Sequence, residues 1–230
     1  MKRTPIIVTG IIAIVVLASI AIVPMVISLI RGGAGIKTEG INESSLQAAS
    51  TDIDGTWSVS GASGPNQTSA GFTFFEVLPA ERKSTSGSTR EVSGSVTVES
   101  GTLSAGEIVV DMDTLTTDSD VRDNNVRRKI LHTDQYPVAT FVVTEPVDVT
   151  HVPDDGTVAP VELTGDLTIH GVTNTVTQEF AVARTGDNVV VAGDIPIART
   201  DYGVETPEFV AAKIADEGEI NIRVNLEKSE

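Results

Sequence analysis

Apolar residues at every second position most constrain what this 230-residue chain can fold into. From Trp57 onward, eight segments place their apolar side chains on one face of an extended strand, as in a half-buried β-strand. The segments cover residues 72–78, 92–98, 108–112, 141–149, 161–169, 172–182, 189–197 and 220–226. Turn-forming stretches separate most of them, and only one short segment between successive strands is predicted to be helical. The pattern predicts an all-β, antiparallel, eight-stranded barrel or sandwich and argues against a parallel α/β fold.

Residues 118–131 interrupt the strands and predict one short helical segment. Asp118 or Ser119 can cap its start, and Arg127, Arg128 and Lys129 stand near its end, where cations favour the helix dipole. Its apolar residues form no continuous stripe, so two short helical turns fit as well as one helix. The polar residues 79–90 predict a long exposed hairpin loop.

The amino terminus predicts a membrane anchor. Residues 6–30 carry no charge and are long enough to cross a hydrocarbon core of about 30 Å as a transmembrane helix. A cleaved signal peptide is the alternative, but its apolar region would span only about 7 to 15 residues. Lys2 and Arg3 weakly favour a cytoplasmic segment at residues 1–5, with the rest outside the cytoplasm. Residues 31–52, rich in Gly, Ser and Ala, predict a flexible linker to a barrel domain at residues 53–228.

Charge and motif content exclude several functions. The formal net charge is −16, which disfavours a nucleic-acid partner, and the chain has no cysteine for a thiolate metal site. His132, His151 and His170 stand in different segments without metal-ligand spacing. No nucleophile elbow, P-loop or dinucleotide fingerprint is present. We therefore expect no enzyme, no metal and no cofactor.

Three motifs in order resemble the YceI-like family of lipid- and polyisoprenoid-binding proteins. The first lies in "VRDNNVRRKILHTDQYPVATFVV", the second is "LTGDLTIHGVTNTVT" and the third is "IPIARTDYGV". The matching positions are Arg122, Asp123, Val126, Arg127, Tyr136, Pro137 and Phe141, then Gly165, Leu167, Thr168, Ile169, Gly171, Val172 and Thr173, then Arg199, Asp201, Tyr202 and Gly203. The chain departs from the family in "SAGFTFFEVLPAERK", which lacks the histidine of the corresponding strand.

The resemblance implies a lipocalin-like barrel whose apolar tunnel binds an isoprenoid or fatty-acyl lipid. It also implies that two domains can pair as a homodimer. Alternation alone fits a filled core equally well, because tightly packed Val and Ile give the same pattern. The alternative is therefore a cell-surface all-β domain with a filled core whose outer face binds protein or glycan.

Strand parity and side-chain size give a predicted lining for the tunnel. The set is Phe72, Phe74, Val110, Met112, Phe141, Val143, Leu167, Ile169 and Phe180. At the tunnel mouth, the guanidinium groups of Arg122, Arg127 and Arg128 suit a phosphate or a quinone carbonyl. The competing interpretation pairs Arg122 or Arg199 with a neighbouring Asp123 or Asp201, which would only fix the helix and a turn. The chain is thus predicted to be a membrane-anchored, extracytoplasmic lipid-binding protein.

Overall fold

Eleven strands account for most of the described chain, and the sheet follows the predicted alternation. The structure is a computed structural model that describes residues 36–77, 82–206 and 213–229. The strands are β1 (Gly55–Val59), β2 (Ser69–Val77), β3 (Arg82–Thr89), β4 (Val92–Glu99), β5 (Thr102–Asp111), β6 (Val138–Val143), β7 (Val147–Asp148), β8 (Ala159–Ile169), β9 (Val172–Thr185), β10 (Asn188–Ala198) and β11 (Lys213–Lys228). All of their pairings are antiparallel.

Eight of these strands close into a barrel. Neighbours follow the order β1, β4, β5, β6, β8, β9, β10 and β11, and β11 pairs back onto β1. The closing contact places Trp57 opposite Lys228 and Val59 opposite Leu226. The all-β eight-stranded barrel is therefore confirmed, although β1 belongs to the ring and β2 does not.

β2 and β3 widen the sheet next to β11. The long strand β11 pairs with β1 near its end and with β2 along residues 213–223. β3 then adds to β2, which corrects the prediction of an exposed loop at residues 79–90 for the described part from Arg82 onward. Ser86 and Thr89 are buried without being apolar, because their hydroxyls bond to Thr73 at 2.8 Å and Thr114 at 2.5 Å. Periodicity cannot detect such a strand, since polar partners compensate for its burial.

The short helical segment is present as two parts, and it covers one end of the barrel. Helix α1 (Asp120–Asn125) begins after Ser119, whose side chain accepts a hydrogen bond from the Arg122 backbone N–H. A π-helical turn (Val126–Ile130) continues it, and 3-10 turns occur at Met112–Thr114 and Arg199–Tyr202. The buried Asp123 carboxylate accepts from both the backbone N–H and the hydroxyl of Thr117 at 2.6 Å.

Residues 36–52, which we name the strap, lie against the outside of the barrel. Thr38 is buried and shares a hydrogen bond with Ser69 at 2.7 Å, and the Arg223 guanidinium donates to the Gly40 carbonyl at 3.0 Å. Further along, Ala49 forms an isolated bridge with Gly186. The flexible linker predicted for residues 31–52 is therefore wrong over residues 36–52, because backbone and polar contacts fix a segment that lacks an apolar period.

The predicted anchor at residues 6–30 lies outside the described residues, as do residues 1–5 and 31–35. Within the described ranges, no helix combines the length and the apolar character that a bilayer span requires.

Candidate ligand cavity

The inward faces of the barrel strands enclose an apolar cavity rather than a solid core. Its volume is about 290 Å³, close to the lower end of the usual range for ligand pockets. All nine residues predicted as lining lie on its wall. The apolar face of the alternating strands therefore lines a hollow interior. That these residues contact a ligand stays a prediction.

Phenylalanine rings in the wall lie over glycines of neighbouring strands. A Cβ atom on Gly218 would come within 2.3 Å of the Phe74 ring, and one on Gly193 within 2.7 Å of the Phe180 ring. Phe141 lies over Gly165 in the same way and makes an edge contact with Phe180, with centroids 6.1 Å apart. Because glycine has no side chain, each ring can approach the wall closely, which leaves the centre of the barrel free.

One end of the cavity is closed by apolar side chains. Trp57 is only 2% exposed, and its indole N–H donates to the Ile53 carbonyl at 2.8 Å. Val149 and Val152 are buried at the cavity wall beside these residues in the hydrophobic cluster. A tail that reached this end would contact apolar side chains and an indole N–H that already has its acceptor.

The polar lining residues include members of the helical segment and of the loop after β10. They comprise Thr85, Arg122, Asn125, Thr140, Arg199, Tyr202 and Thr206, and we call the part lined by Arg122, Asn125 and Thr206 the mouth. Burial raises the pKa of the Tyr202 phenol, a hydrogen bond with Asn174 opposes this shift, and the nearby Asp201 charge adds to it. The phenol therefore stays neutral at physiological pH.

The three arginines predicted for the mouth have different positions. Arg122 lines the cavity and forms an ion pair with Asp118, which lies just before the start of the helix. Arg127 does not line it, and instead donates to the carbonyls of Asp113 and Leu115 at 2.9 and 3.3 Å. Arg128 is exposed to solvent.

The structure changes the partners that sequence proximity had suggested. Arg122 pairs with Asp118 rather than Asp123. Arg199 donates to the carbonyls of Val204 and Ala215 at 2.7 and 3.3 Å, with an Asp216 oxygen 3.9 Å away, rather than pairing with Asp201. Both arginines still organise local structure, as the competing interpretation expected.

The sequence did not single out Asn125, Thr206 or Trp57 as cavity residues. Asn125 stands three residues after Arg122, a spacing that places both on neighbouring positions of one helix surface. That spacing could have identified Asn125. Thr206 and Trp57 gave no comparable signal, because their positions depend on how distant strands pair.

Two histidines meet beside the β8–β9 turn. The ring centroids of His132 and His170 are 5.6 Å apart, and the Tyr136 ring centroid lies 4.4 Å from that of His170. Nε2 of His170 is buried and has no hydrogen-bond partner among the described residues. Over the same ranges, no group of three or more side chains is placed to hold a metal ion.

A closed eight-stranded barrel around an apolar cavity defines the chain as a lipocalin-like β-barrel protein. The family model described as "YceI-like domain" matches residues 62–226. The chain therefore belongs to the YceI-like family, which confirms the resemblance drawn from the three motifs. The strap and β1 precede the matched residues.

Several solved structures share the fold, among them the following two. One is a polyisoprenoid-binding domain from Saccharophagus degradans implicated in plant cell wall breakdown, 19% identical, with a TM-score of 0.55, covering 70% of this chain and 94% of that one. The other is BcnA from Burkholderia cenocepacia, 24% identical, with a TM-score of 0.54 and coverage of 68% and 95%. At these identities the likeness shows the fold alone. No curated protein matches the chain in sequence.

Proposed function

We propose that this protein is a membrane-anchored, extracytoplasmic binding protein that holds a long-chain isoprenoid or other amphiphilic lipid inside its barrel. The observation that carries the proposal is the apolar cavity, whose wall is built from inward-facing strand residues and closed at one end by Trp57. Its role is to store, shield or carry the lipid without catalysis.

The energetics favour an alkyl or prenyl tail as the main source of affinity. Each methylene removed from water contributes about 0.8 kcal/mol, so ten buried methylenes contribute about 8 kcal/mol. A hydrogen bond contributes about 0.5–1.5 kcal/mol net. The tail therefore determines how tightly the ligand binds, and the polar mouth determines which headgroup is accepted.

Membrane attachment rests on the uncharged residues 6–30, and the basic residues before them support a cytoplasmic amino terminus. Pairing of two domains as a homodimer stays a prediction. The alternative of a filled-core domain that binds protein or glycan on its outer face is disfavoured by the hollow interior.

Two tryptophan substitutions on β6 test lipid binding. Val143 lines the cavity, whereas its neighbour Val142 points outward and is 37% exposed. The full chain and both variants would be purified identically, extracted with organic solvent and analysed by mass spectrometry. We expect one dominant prenyl or acyl species with the native chain and Val142→Trp, and its loss with Val143→Trp.

Equal lipid recovery from folded native and Val143→Trp protein would contradict the proposal, because a blocked cavity cannot hold the same ligand. An empty native extract that also takes up no added lipid would favour the outer-surface alternative. Thermal unfolding of each variant separates loss of binding from loss of fold.

A further inference from the structure

The cations on the cavity wall already have partners within the protein. Arg122 is paired with Asp118, and Arg199 donates to two backbone carbonyls with Asp216 nearby. Each guanidinium that reaches the cavity thus has its charge or its donors engaged by protein groups. The anionic headgroup of a ligand would therefore have to compete with acceptors that belong to the protein itself.

Charge around the helical segment is close to balanced, although the family motif there is rich in arginine. Residues 111–131 contain the acids Asp111, Asp113, Asp118, Asp120 and Asp123 and the bases Arg122, Arg127, Arg128 and Lys129. The chain as a whole carries −16. A phosphorylated lipid would bring further negative charge to this site and lose hydration without gaining an unpaired cation on the cavity wall.

Asn125 differs from these arginines. It lies on the cavity wall, and its carboxamide makes no hydrogen bond with any residue that the structure describes. A carboxamide offers two donors and an acceptor without a charge, so it can bind a carbonyl or a hydroxyl equally well. An incoming headgroup would supply the partner that the protein does not.

We propose that the mouth selects lipids with an uncharged, hydrogen-bonding headgroup, bound by Asn125, and discriminates against prenyl or acyl phosphates because Asp118 neutralises Arg122. This inference rests on the proposed lipid-binding function and names the headgroup class that the function leaves open. Asn125 is then a specificity-determining residue, while Asp118 acts through Arg122.

A displacement assay on the full chain tests the selectivity. A radiolabelled C20 prenol would be bound, then displaced by unlabelled prenol, by the prenyl monophosphate of equal chain length, or by a C20 hydrocarbon without a headgroup. We expect the monophosphate to bind at least about tenfold more weakly than the prenol. Asn125→Leu should weaken the prenol about three- to tenfold and leave the hydrocarbon unchanged, as expected for one hydrogen bond.

Two further variants complete the test. Asn124→Leu changes an exposed asparagine on the same helix and should alter none of the three affinities. Asp118→Asn frees Arg122 and should narrow the gap between prenol and monophosphate. The inference would be overturned if the monophosphate bound as tightly as the prenol, or if Asn125→Leu weakened the binding of prenol and hydrocarbon equally. Either result would leave the proposed lipid binding intact. If the native chain retained none of the three compounds, the proposed lipid-binding function itself would be contradicted.

Discussion

At the scale of single residues, the hollow interior depends on glycines that face aromatic rings. Phe74 stands opposite Gly218 and Phe72 opposite Gly87 in the strand register, so each ring covers a position without a side chain. Close-packed interiors normally leave few voids larger than a water molecule. Here each ring is placed against the wall, and the space along the barrel axis stays open.

Replacing one of these glycines should narrow the cavity. In Gly193→Ala the new methyl group would start 2.7 Å from the Phe180 ring, so the ring must move away from the wall. We expect lipid binding to weaken by about fourfold for each tail methylene that the narrower cavity leaves in water, and a stability cost of about 1–3 kcal/mol from overpacking. Titration with a fluorescent acyl probe and urea unfolding measure the two effects.

Gly61→Ala is the matched control, because Gly61 is exposed and a Cβ there would meet nothing within 4 Å. The control should bind lipid like the native chain. Unchanged probe affinity in a folded Gly193→Ala variant would contradict the role assigned to the ring and its glycine.

At the scale of elements, a buried carboxylate ties the helical segment to the residues just before it. Asp123 accepts two hydrogen bonds from Thr117, so Asp123→Ala leaves a buried N–H and a hydroxyl without their acceptor. We expect a loss of about 1–3 kcal/mol in the free energy of unfolding, measured by urea denaturation. Asn124→Ala on the exposed side of the same helix should cost far less, and equal losses from the two variants would refute this account.

The Lys37–Glu219 contact at the start of the strap should be lost in acid. A hydrogen bond from Lys37, 2.7 Å away, lowers the pKa of Glu219, and burial only partly opposes this shift. The same bond raises the pKa of Lys37. Because the pKa of Glu219 is lowered, the contact contributes its full stability at pH values above the ordinary carboxyl pKa of about 4.3. This contribution is lost as the pH falls through the pKa of the folded state. Because the pKa of Lys37 is raised, its ammonium group stays charged and the contact persists as the pH rises to about 10.4.

Hydrogen-exchange protection of residues 37–42 measures the attachment of the strap. Protection should be constant between about pH 5 and pH 9 and decrease below about pH 4. Glu219→Gln should have lower protection at pH 7 and a smaller acid-dependent change. Protection that falls equally in the native chain and the variant would show that Lys37 and Glu219 do not hold the strap.

The sequence predicts the elements whose burial follows the alternation. β8, β9, β10 and the second half of β11 all follow from their apolar faces, and the family motifs indicate the helical segment. β3 and the strap could not be found this way, because polar hydrogen bonds rather than apolar faces hold them. The lining set followed from strand parity, whereas the hydrogen bonds of Arg127 and Arg199 with backbone carbonyls depend on tertiary geometry that local sequence does not encode.

At the scale of the whole molecule, a closed barrel satisfies two requirements at once. Ring closure gives each of the eight barrel strands a hydrogen-bonded neighbour on both sides, and eight strands give an interior near the boundary between filled and ligand-holding barrels. Glycines beneath the wall phenylalanines let the rings lie flat and keep the interior of this barrel hollow. We expect its net charge of −16 to repel nucleic acids and anionic lipid surfaces from most of the exterior.

Trp57 gives the most direct measurement of the central claim that the barrel holds a lipid tail. It is the single tryptophan of the chain and stands at the apolar end of the cavity. Fatty alcohols brominated at the tail end or next to the headgroup would be titrated into the full chain while Trp57 fluorescence is recorded. We predict saturable quenching by the tail-end bromine and much weaker quenching by the headgroup-side bromine. Equal quenching by both, or no saturable quenching by either, would contradict the account.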